Sequence, residues 1–218
     1  MKKARLFLTA IILLFASALT VSAQWSIGTD VYSQYIWRGV HYGSGPAVQP
    51  SVEFSSGGFA VGGWGSVTYS DNFQEMDLYA SYSTDFGLTL GVYDYYYPGH
   101  DWTDLSDTAG AHGIEINLGY EIEGLSLSAN YIVNEAPGAG TVGQDKYFEV
   151  GYSFSDFDIF VGAGDGWHTS DTEFAVVNVG ISSSKEIKFS EDFSVPVSGA
   201  LIFNPDSKQF FVVVGFSL

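Results

Sequence analysis

Strict alternation of apolar and polar residues is the dominant pattern of the chain after Gln24. In residues 113–122 every second position is apolar or aromatic, and the alternation returns in 125–133 after only Glu123 and Gly124. A period of two residues is typical of a β-strand with two differently solvated faces, and a two-residue connection is typical of a tight hairpin. The pattern therefore predicts an all-β chain built from consecutive hairpins.

Twelve such segments follow one another, and no helical stripe interrupts them. Most are close in length to the roughly 9–11 residues of a tilted transmembrane strand. The predicted strands are 25–37, 47–54, 59–69, 76–83, 88–97, 113–122, 125–133, 147–154, 159–164, 173–182, 193–203 and 209–218.

The connections between these segments alternate between longer and shorter, with one exception at 183–192. Outer-membrane barrels have long loops at one end and short turns at the other, whereas a soluble sandwich has no reason to sort its loops in this way. The last segment, 209–218, alternates to the end of the chain, as C-terminal strands of such barrels do. We therefore predict a 12-stranded antiparallel transmembrane β-barrel of the outer-membrane type.

The N-terminus has the pattern of a secretory signal peptide. Three basic residues precede an apolar run at 6–19, and the small residues before Gln24 predict cleavage after Ala23. We expect residues 1–23 to be the signal peptide and residues 24–218 to form the barrel domain. The expected location is the outer membrane of a Gram-negative bacterium.

Composition limits the partners. Residues 1–23 contain three of the eight basic residues and none of the 25 acidic ones, so the remainder is strongly acidic and nucleic acid is not expected as a partner. Cysteine is absent, which excludes disulfides and thiolate metal sites. A secreted β-sandwich shares much of this composition and is the alternative to the barrel.

Successive side chains leave opposite faces of a strand, so one parity of each segment faces lipid and the other the lumen. Because a charge on the lipid face at mid-bilayer costs about 2–4 kcal/mol, we assign the polar parity to the lumen. This places six acids and Arg38 inside. The predicted lumen residues are Asp30, Gln34, Arg38, Gln49, Glu53, Asp77, Glu115, Asn117, Glu121, Asn130, Glu149 and Asn178.

Aromatic residues on the lipid parity predict girdles at the membrane interfaces. They are Trp25, Tyr35, Trp37, Tyr69 and Phe216. Arg38 would turn into the channel mouth beside Trp37, either lining an open pore or pairing with acids in a filled interior. Asp94 falls on the lipid parity, which predicts a β-bulge or the end of the membrane there.

The predicted external loops hold all four histidines and several aspartates. The segment 164–171 has a histidine, two aspartates and a serine, so a hydrolytic couple is conceivable, but no recognised spacing supports it and no catalytic residue is assigned. No cofactor is expected. Weak candidates for a metal site are Asp101, Asp104, Asp107 and His168.

The N-terminal third resembles the TorF family of porin-like proteins, also described as the Gcw_chp family of exported proteins. The resemblance rests on Tyr35-Ile36-Trp37-Arg38-Gly39, followed by Pro46-Ala47-Val48-Gln49, and extends over about residues 28–99. Gln34 and the pair His41-Tyr42 depart from the family pattern. The resemblance implies an outer-membrane barrel and supports its location more than an activity.

These observations favour a porin-like channel, and not an enzyme, for passive diffusion of small cationic or neutral solutes through an acidic lumen. The first alternative is a non-conducting structural or adhesive barrel whose loops bind partners or divalent cations. An outer-membrane hydrolase is the second. Expected partners are membrane lipid and lipopolysaccharide, the barrel-assembly machinery acting on the C-terminal strand, and small solutes.

Overall fold

The computed structural model describes residues 23–191 and 193–218, and within them the chain forms a closed antiparallel barrel of twelve strands. The predicted fold class is confirmed. The signal peptide was predicted over residues 1–23, of which residues 1–22 lie outside the described residues. The barrel strands are β1 (Gln24–Tyr32), β4 (Ala47–Ser56), β5 (Phe59–Thr68), β6 (Gln74–Ser83), β7 (Leu88–Tyr96), β8 (His112–Ile122), β9 (Leu125–Ile132), β10 (Lys146–Ser153), β11 (Asp158–Gly164), β12 (Ala175–Lys188), β13 (Ser194–Asn204) and β14 (Gln209–Ser217).

Each strand pairs with its neighbour in the chain, and β1 closes the ring by pairing with both β4 and β14. Short turns such as 57–58 and 123–124 lie at one end, called here the short-turn end. Longer segments such as 97–111 and 133–145 lie at the other, the long-loop end. The described residues contain no helix long and apolar enough to cross a membrane.

The outer surface of the barrel is apolar and the inner surface is mostly polar. Ile27 and Val150 stand on the outside with 84% and 52% of their surface exposed, whereas Glu115 on the inner parity of β8 is only 1% exposed. Burial of polar side chains inside and exposure of aliphatic ones outside is the reverse of a soluble domain. It is the arrangement expected where lipid is the outer solvent.

The first predicted strand, 25–37, is wrong beyond Tyr32. β1 ends there, and residues 35–42 form a separate two-stranded sheet of β2 (Tyr35–Trp37) and β3 (Val40–Tyr42). Ser33 and Gln34 interrupt the strand. Their side chains bond to the backbone of β14. The Ser33 hydroxyl accepts a hydrogen bond from the Val214 N–H at 3.1 Å, and the Gln34 amide donates to the Val212 carbonyl at 2.9 Å.

The long connection predicted at 183–192 is also wrong. β12 continues to Lys188, and its ladder with β13 continues to the pair Lys188–Ser194. The turn therefore begins at Phe189, whose N–H donates to the carbonyl of Phe193 at 2.9 Å. This half of the strand was not predicted because the residues after Ile181 are mostly polar and lack the alternation of apolar and polar positions. Its backbone is nevertheless paired with β13.

The seam that closes the barrel is short. The register of β1 with β14 runs only from Asp30–Ser217 to Tyr32–Gly215, with flanking backbone bonds between Thr29 and Leu218. In contrast, β1 pairs with β4 over its whole length. Next to the seam, Ile202, Phe211 and Val213 form an apolar cluster on the inner wall.

Candidate functional site

The β2–β3 hairpin folds into the barrel and reaches most of its wall. Tyr35 packs on Trp64 of β5 at 5.6 Å between ring centroids, and Trp37 packs on Tyr95 of β7 at 5.3 Å. At the opposite wall His41 packs on Phe211 of β14 at 5.7 Å. The hairpin therefore lies across the lumen, near its long-loop end.

The tip of this hairpin is a two-residue turn. Arg38 and Gly39 have φ values of 51° and 79°, the signature of the type I′ turn that matches the twist of paired strands. Glycine is required at the second position, since an added Cβ on Gly39 would stand 1.9 Å from the Val177 carbonyl oxygen. The Gly39 carbonyl in turn accepts a hydrogen bond from the Asn204 amide at 2.9 Å.

Arg38 forms a two-pronged ion pair with Glu115. Nη1 donates to Oε1 at 2.6 Å and Nη2 donates to Oε2 at 2.9 Å, and the two side chains are 12% and 1% exposed. The guanidinium carbon also lies 4.4 Å from the Trp37 ring centroid and 4.5 Å from that of Tyr147. Planar stacking and a forked pair are the contacts that arginine makes and lysine does not.

A hydrogen-bond network extends from Glu115 along the inner wall. The Tyr95 hydroxyl and the Asn117 amide both donate to Glu115 Oε2, at 2.9 and 2.6 Å, and Asn117 also donates to Asn130 at 2.7 Å. The carboxylate thus accepts four hydrogen bonds, one on Oε1 and three on Oε2. Such saturation is what allows a charge pair to persist in a buried site.

Two other inner acids accept hydrogen bonds from neutral donors. Glu53 accepts from the Tyr79 hydroxyl at 2.9 Å, and Glu149 accepts from the Tyr147 hydroxyl and from the Asn178 amide. Among the described residues the ion pairs are those of Arg38, His112 and Lys146, and only the first faces the lumen. The lumen therefore has an excess of negative charge.

Two further acids lie on the inner face of β6. Asp77 and Glu75 are 6% and 4% exposed, and each has one oxygen without a hydrogen-bond partner. Glu75 was missed because the predicted strand began at residue 76. Its parity with Asp77 was the signal that could have found it.

A cavity of about 310 Å³ lies against the hairpin within the barrel. Its lining combines polar and apolar side chains. Its lining residues are Ile36, Arg38, Gly39, Ser128, Asn130, Tyr147, Glu149, Phe160, Asn178 and Ile202. Four of the predicted lumen residues meet here, in addition to three apolar side chains that the polar pattern did not mark.

The remaining predicted lumen residues are spread along the inner wall. Gln49 is 5% exposed and approaches Ser66, Asp30 is partly buried, and Glu121 is exposed near the short-turn end. Gln34 is a correction, because it bonds to β14 at the seam and does not lie on a strand that lines the pore.

Two of the five predicted girdle residues are also corrected. Tyr35 and Trp37 pack inside the barrel, since the chain turns inward after Tyr32 and the lipid parity of β1 no longer applies. Trp25, Tyr69 and Phe216 stand on the outer surface, at 70%, 86% and 38% exposure.

Asp94 keeps its outward parity without a bulge. The ladders of β7 with β6 and β8 are regular at Leu78–Asp94 and Asp94–Ile114. The carboxylate pairs with His112 Nδ1 at 2.9 Å, and His112 Nε2 lies 2.9 Å from the Trp102 carbonyl oxygen. The outward carboxylate of Asp94 therefore has a hydrogen-bonding partner on the neighbouring strand β8.

The loop residues considered for catalysis or metal binding do not come together. His168 is 2% exposed between the rings of Trp37 and Tyr147, whereas Ser170 bonds to Asp206. Asp101 and Asp104 accept hydrogen bonds from their own loop. Among the described residues no group of three metal-ligating side chains is placed to hold an ion.

His168 has no hydrogen-bond partner on either ring nitrogen. Burial, together with the positive charge of Arg38, lowers its pKa to about 3. The ring is therefore neutral at physiological pH and acts as part of the aromatic packing around the hairpin tip.

Comparison with curated proteins gives no match. Among solved structures, two engineered variants of the Rh. blastica porin are 16% and 15% identical, each with a TM-score of 0.42, and the similarity covers 79% of this chain and 55% of theirs. A structure described as "Asymmetric conductivity of engineered proteins" gives 15% identity with the same coverage and TM-score. The chain thus spans about half the length of these structures.

The family model described as "Bacterial protein of unknown function (Gcw_chp)" matches residues 15–193. A relation to the TorF porins in particular stays a prediction. The matched range includes the Trp37-Arg38-Gly39 hairpin tip and Glu115. The chain belongs to the Gcw_chp family.

Proposed function

We propose that this protein is an outer-membrane channel for passive diffusion of small cationic or neutral solutes, with the β2–β3 hairpin as its constriction. The fold supports the location, because a closed barrel with an apolar outer surface leaves no unpaired sheet edge in lipid. Membrane lipid and lipopolysaccharide are the proposed surroundings. The barrel-assembly machinery is proposed to act on β14.

The charge of the lumen is the observation that carries the proposal. Arg38 is the arginine that the hairpin brings into the lumen, and Glu115 neutralises it. Glu53 and Glu149 remain without a cationic partner in the same part of the chain. A pore lined by uncompensated carboxylates favours cations over anions.

The test is conductance of the purified protein in a planar lipid bilayer. With a KCl gradient, the reversal potential should have the sign of cation preference. Replacing Glu53→Gln together with Glu149→Gln should weaken that preference, and neither change touches Arg38 or Glu115. The exposed loop change Glu173→Gln is the matched control and should leave the reversal potential unchanged. Equal selectivity in the double variant would refute the lumen assignment.

One observation favours a second candidate, a non-conducting structural or adhesive barrel. The hairpin crosses the lumen, since Arg38 bonds to Glu115 on β8 and His41 packs on Phe211 of β14, six strands away in the ring of twelve. A barrel closed in this way would present only its long-loop end to partners. No channel events at any voltage would support this candidate against the first. We propose no hydrolase, since His168 and Ser170 face different partners.

A further inference from the structure

We propose that the cavity beside the hairpin is a binding site for a small organic cation, a primary ammonium that carries a compact apolar group. This inference deepens the proposed channel function and rests on it, because the cavity lies on the proposed route. Its support comes from three properties of the lining: hydrogen-bond acceptors, an excess negative charge, and a group of apolar side chains.

The polar side is rich in acceptors. Glu149 Oε2 receives the Tyr147 hydroxyl and the Asn178 amide, the latter at 2.8 Å. Asn178 is 6% exposed, and its Oδ1 has no hydrogen-bond partner. A buried amide oxygen without a partner is costly, so it marks a place where a donor is missing. An ammonium group supplies three N–H donors and no acceptor.

The charge of the cavity selects the sign of the ligand. Arg38 lines the cavity, but both prongs of its guanidinium are bound to Glu115 at 2.6 and 2.9 Å. Glu149 has no ion pair among the described residues. A cation can therefore neutralise a partly desolvated carboxylate, whereas an anion would meet Glu149 with like charge.

Three apolar side chains complete the lining of the cavity. Phe160, Ile36 and Ile202 line it, and Ile202 continues into the cluster with Phe211 and Val213. A hydrated inorganic cation gains nothing from these side chains. An alkyl or phenyl group would leave water on contact with them, which adds affinity in proportion to the area covered.

The volume sets the size of the ligand. At about 310 Å³ the cavity is at the lower end of the roughly 300–1,000 Å³ that small-molecule sites occupy. A phenylethyl group attached to one ammonium is of the right class. A disaccharide or peptide is too large for the site while the hairpin is seated.

Binding is tested with the folded protein in detergent, without any conductance measurement. Isothermal titration calorimetry with phenylethylammonium is compared with 2-phenylethanol, which has the same apolar group and no charge. We expect the ammonium to bind on the order of 10-fold more tightly, because a hydrogen bond to a charged partner is stronger than one between neutral groups. Equal affinities for the two probes would overturn the proposal.

Two variants locate the site. Glu149→Gln should lower the affinity for phenylethylammonium about 10-fold and leave that for 2-phenylethanol unchanged, whereas the exposed control Glu173→Gln should change neither. Phe160→Leu should reduce the preference for phenylethylammonium over methylammonium by several-fold. Because this variant retains the Glu149 carboxylate, it still tests the site if Glu149→Gln does not fold. Unchanged binding in folded Glu149→Gln, or an unchanged preference in Phe160→Leu, would contradict the assignment.

The outcome is independent of the channel test. Selective ammonium binding by a barrel that never conducts would refute the channel and leave the site in place. Cation conductance without ammonium binding would leave the channel in place and refute the site.

Discussion

At the scale of single residues, Arg38 holds the hairpin in the lumen against two costs. Its left-handed backbone conformation is unfavourable by about 1–2 kcal/mol for a residue other than glycine, and its charge is largely buried. The forked pair with Glu115 and the rings of Trp37 and Tyr147 offset both. This accounts for an arginine beside a tryptophan in a chain with little positive charge.

Removing either partner of this pair should be strongly destabilising. Glu115→Gln leaves the guanidinium buried without its counter-charge, and Arg38→Met leaves the carboxylate in the same state, so each should lower the free energy of unfolding by about 3–5 kcal/mol. The double variant should lose much less than the sum. Urea unfolding in lipid vesicles measures all four proteins. Additive losses would show that the two side chains do not act as a pair.

His168 gives a pH dependence of known sign. Its folded pKa of about 3 is below the unfolded value near 6.5, so the unfolded chain binds the extra proton between these values. The contribution of the neutral His168 ring to the free energy of unfolding is fully present above pH 6.5. It falls by up to about 1.36 kcal/mol per pH unit as the pH decreases towards 3. The stability difference between wild type and His168→Gln should therefore shrink below pH 6.5. A difference that is constant from pH 4 to 8 would contradict the neutral, buried ring.

At the scale of elements, the hairpin in the lumen and the short pairing of β1 with β14 have the same cause. The chain leaves the wall after Tyr32, so β2 and β3 enter the lumen. Beyond its short ladder with β1, β14 is bonded by the side chains of Ser33 and Gln34. β1 and β4 are nevertheless adjacent at that point, since Tyr32 and Ala47 are register partners. The hairpin is thus an insertion that the barrel wall does not need for its own continuity.

Excising the hairpin should open the lumen. Residues 33–46 can be replaced by a tight turn between Tyr32 and Ala47, and single-channel conductance should then rise severalfold, because the contacts on Trp64, Tyr95 and Phe211 are gone. The heat-dependent shift of barrel mobility on a gel checks that the variant is folded. Gly39→Ala is the milder companion, as its Cβ would displace the tip from Val177. Conductance equal to wild type in both folded variants would show that the hairpin is no constriction.

At the scale of the whole molecule, the barrel could be predicted from the sequence and the hairpin inside it could not. The alternation of apolar and polar residues within each strand and the lengths of the loops can be read from each segment by itself. The inward course of 35–42 depends on distant partners such as Glu115 and Trp64. Residues 35 and 37 alternate just as a lipid-facing strand would, so the pattern was ambiguous. Two features of the sequence did indicate the end of β1 and the hairpin turn: the polar residues Ser33 and Gln34 before Tyr35, and the glycine at position 39.

The same reasoning explains the candidate site. The polar lining residues Asn130, Glu149 and Asn178 were predicted to face the lumen because they stand on the polar parity of their strands. The apolar lining residues were not, because Phe160 and Ile202 on an inner face are indistinguishable from lipid-facing residues without the register. The solute selectivity stays a prediction.

The close approach of Gly39 to the β12 backbone has a consequence for relatives of this protein. Any side chain at that position would collide with a main-chain oxygen, and the main chain there cannot move aside as a flexible side chain can. A homologue with another amino acid at the equivalent site cannot lodge its loop in this manner. The amino acid at this position therefore decides whether the tip of such a hairpin can be seated against the β12 backbone.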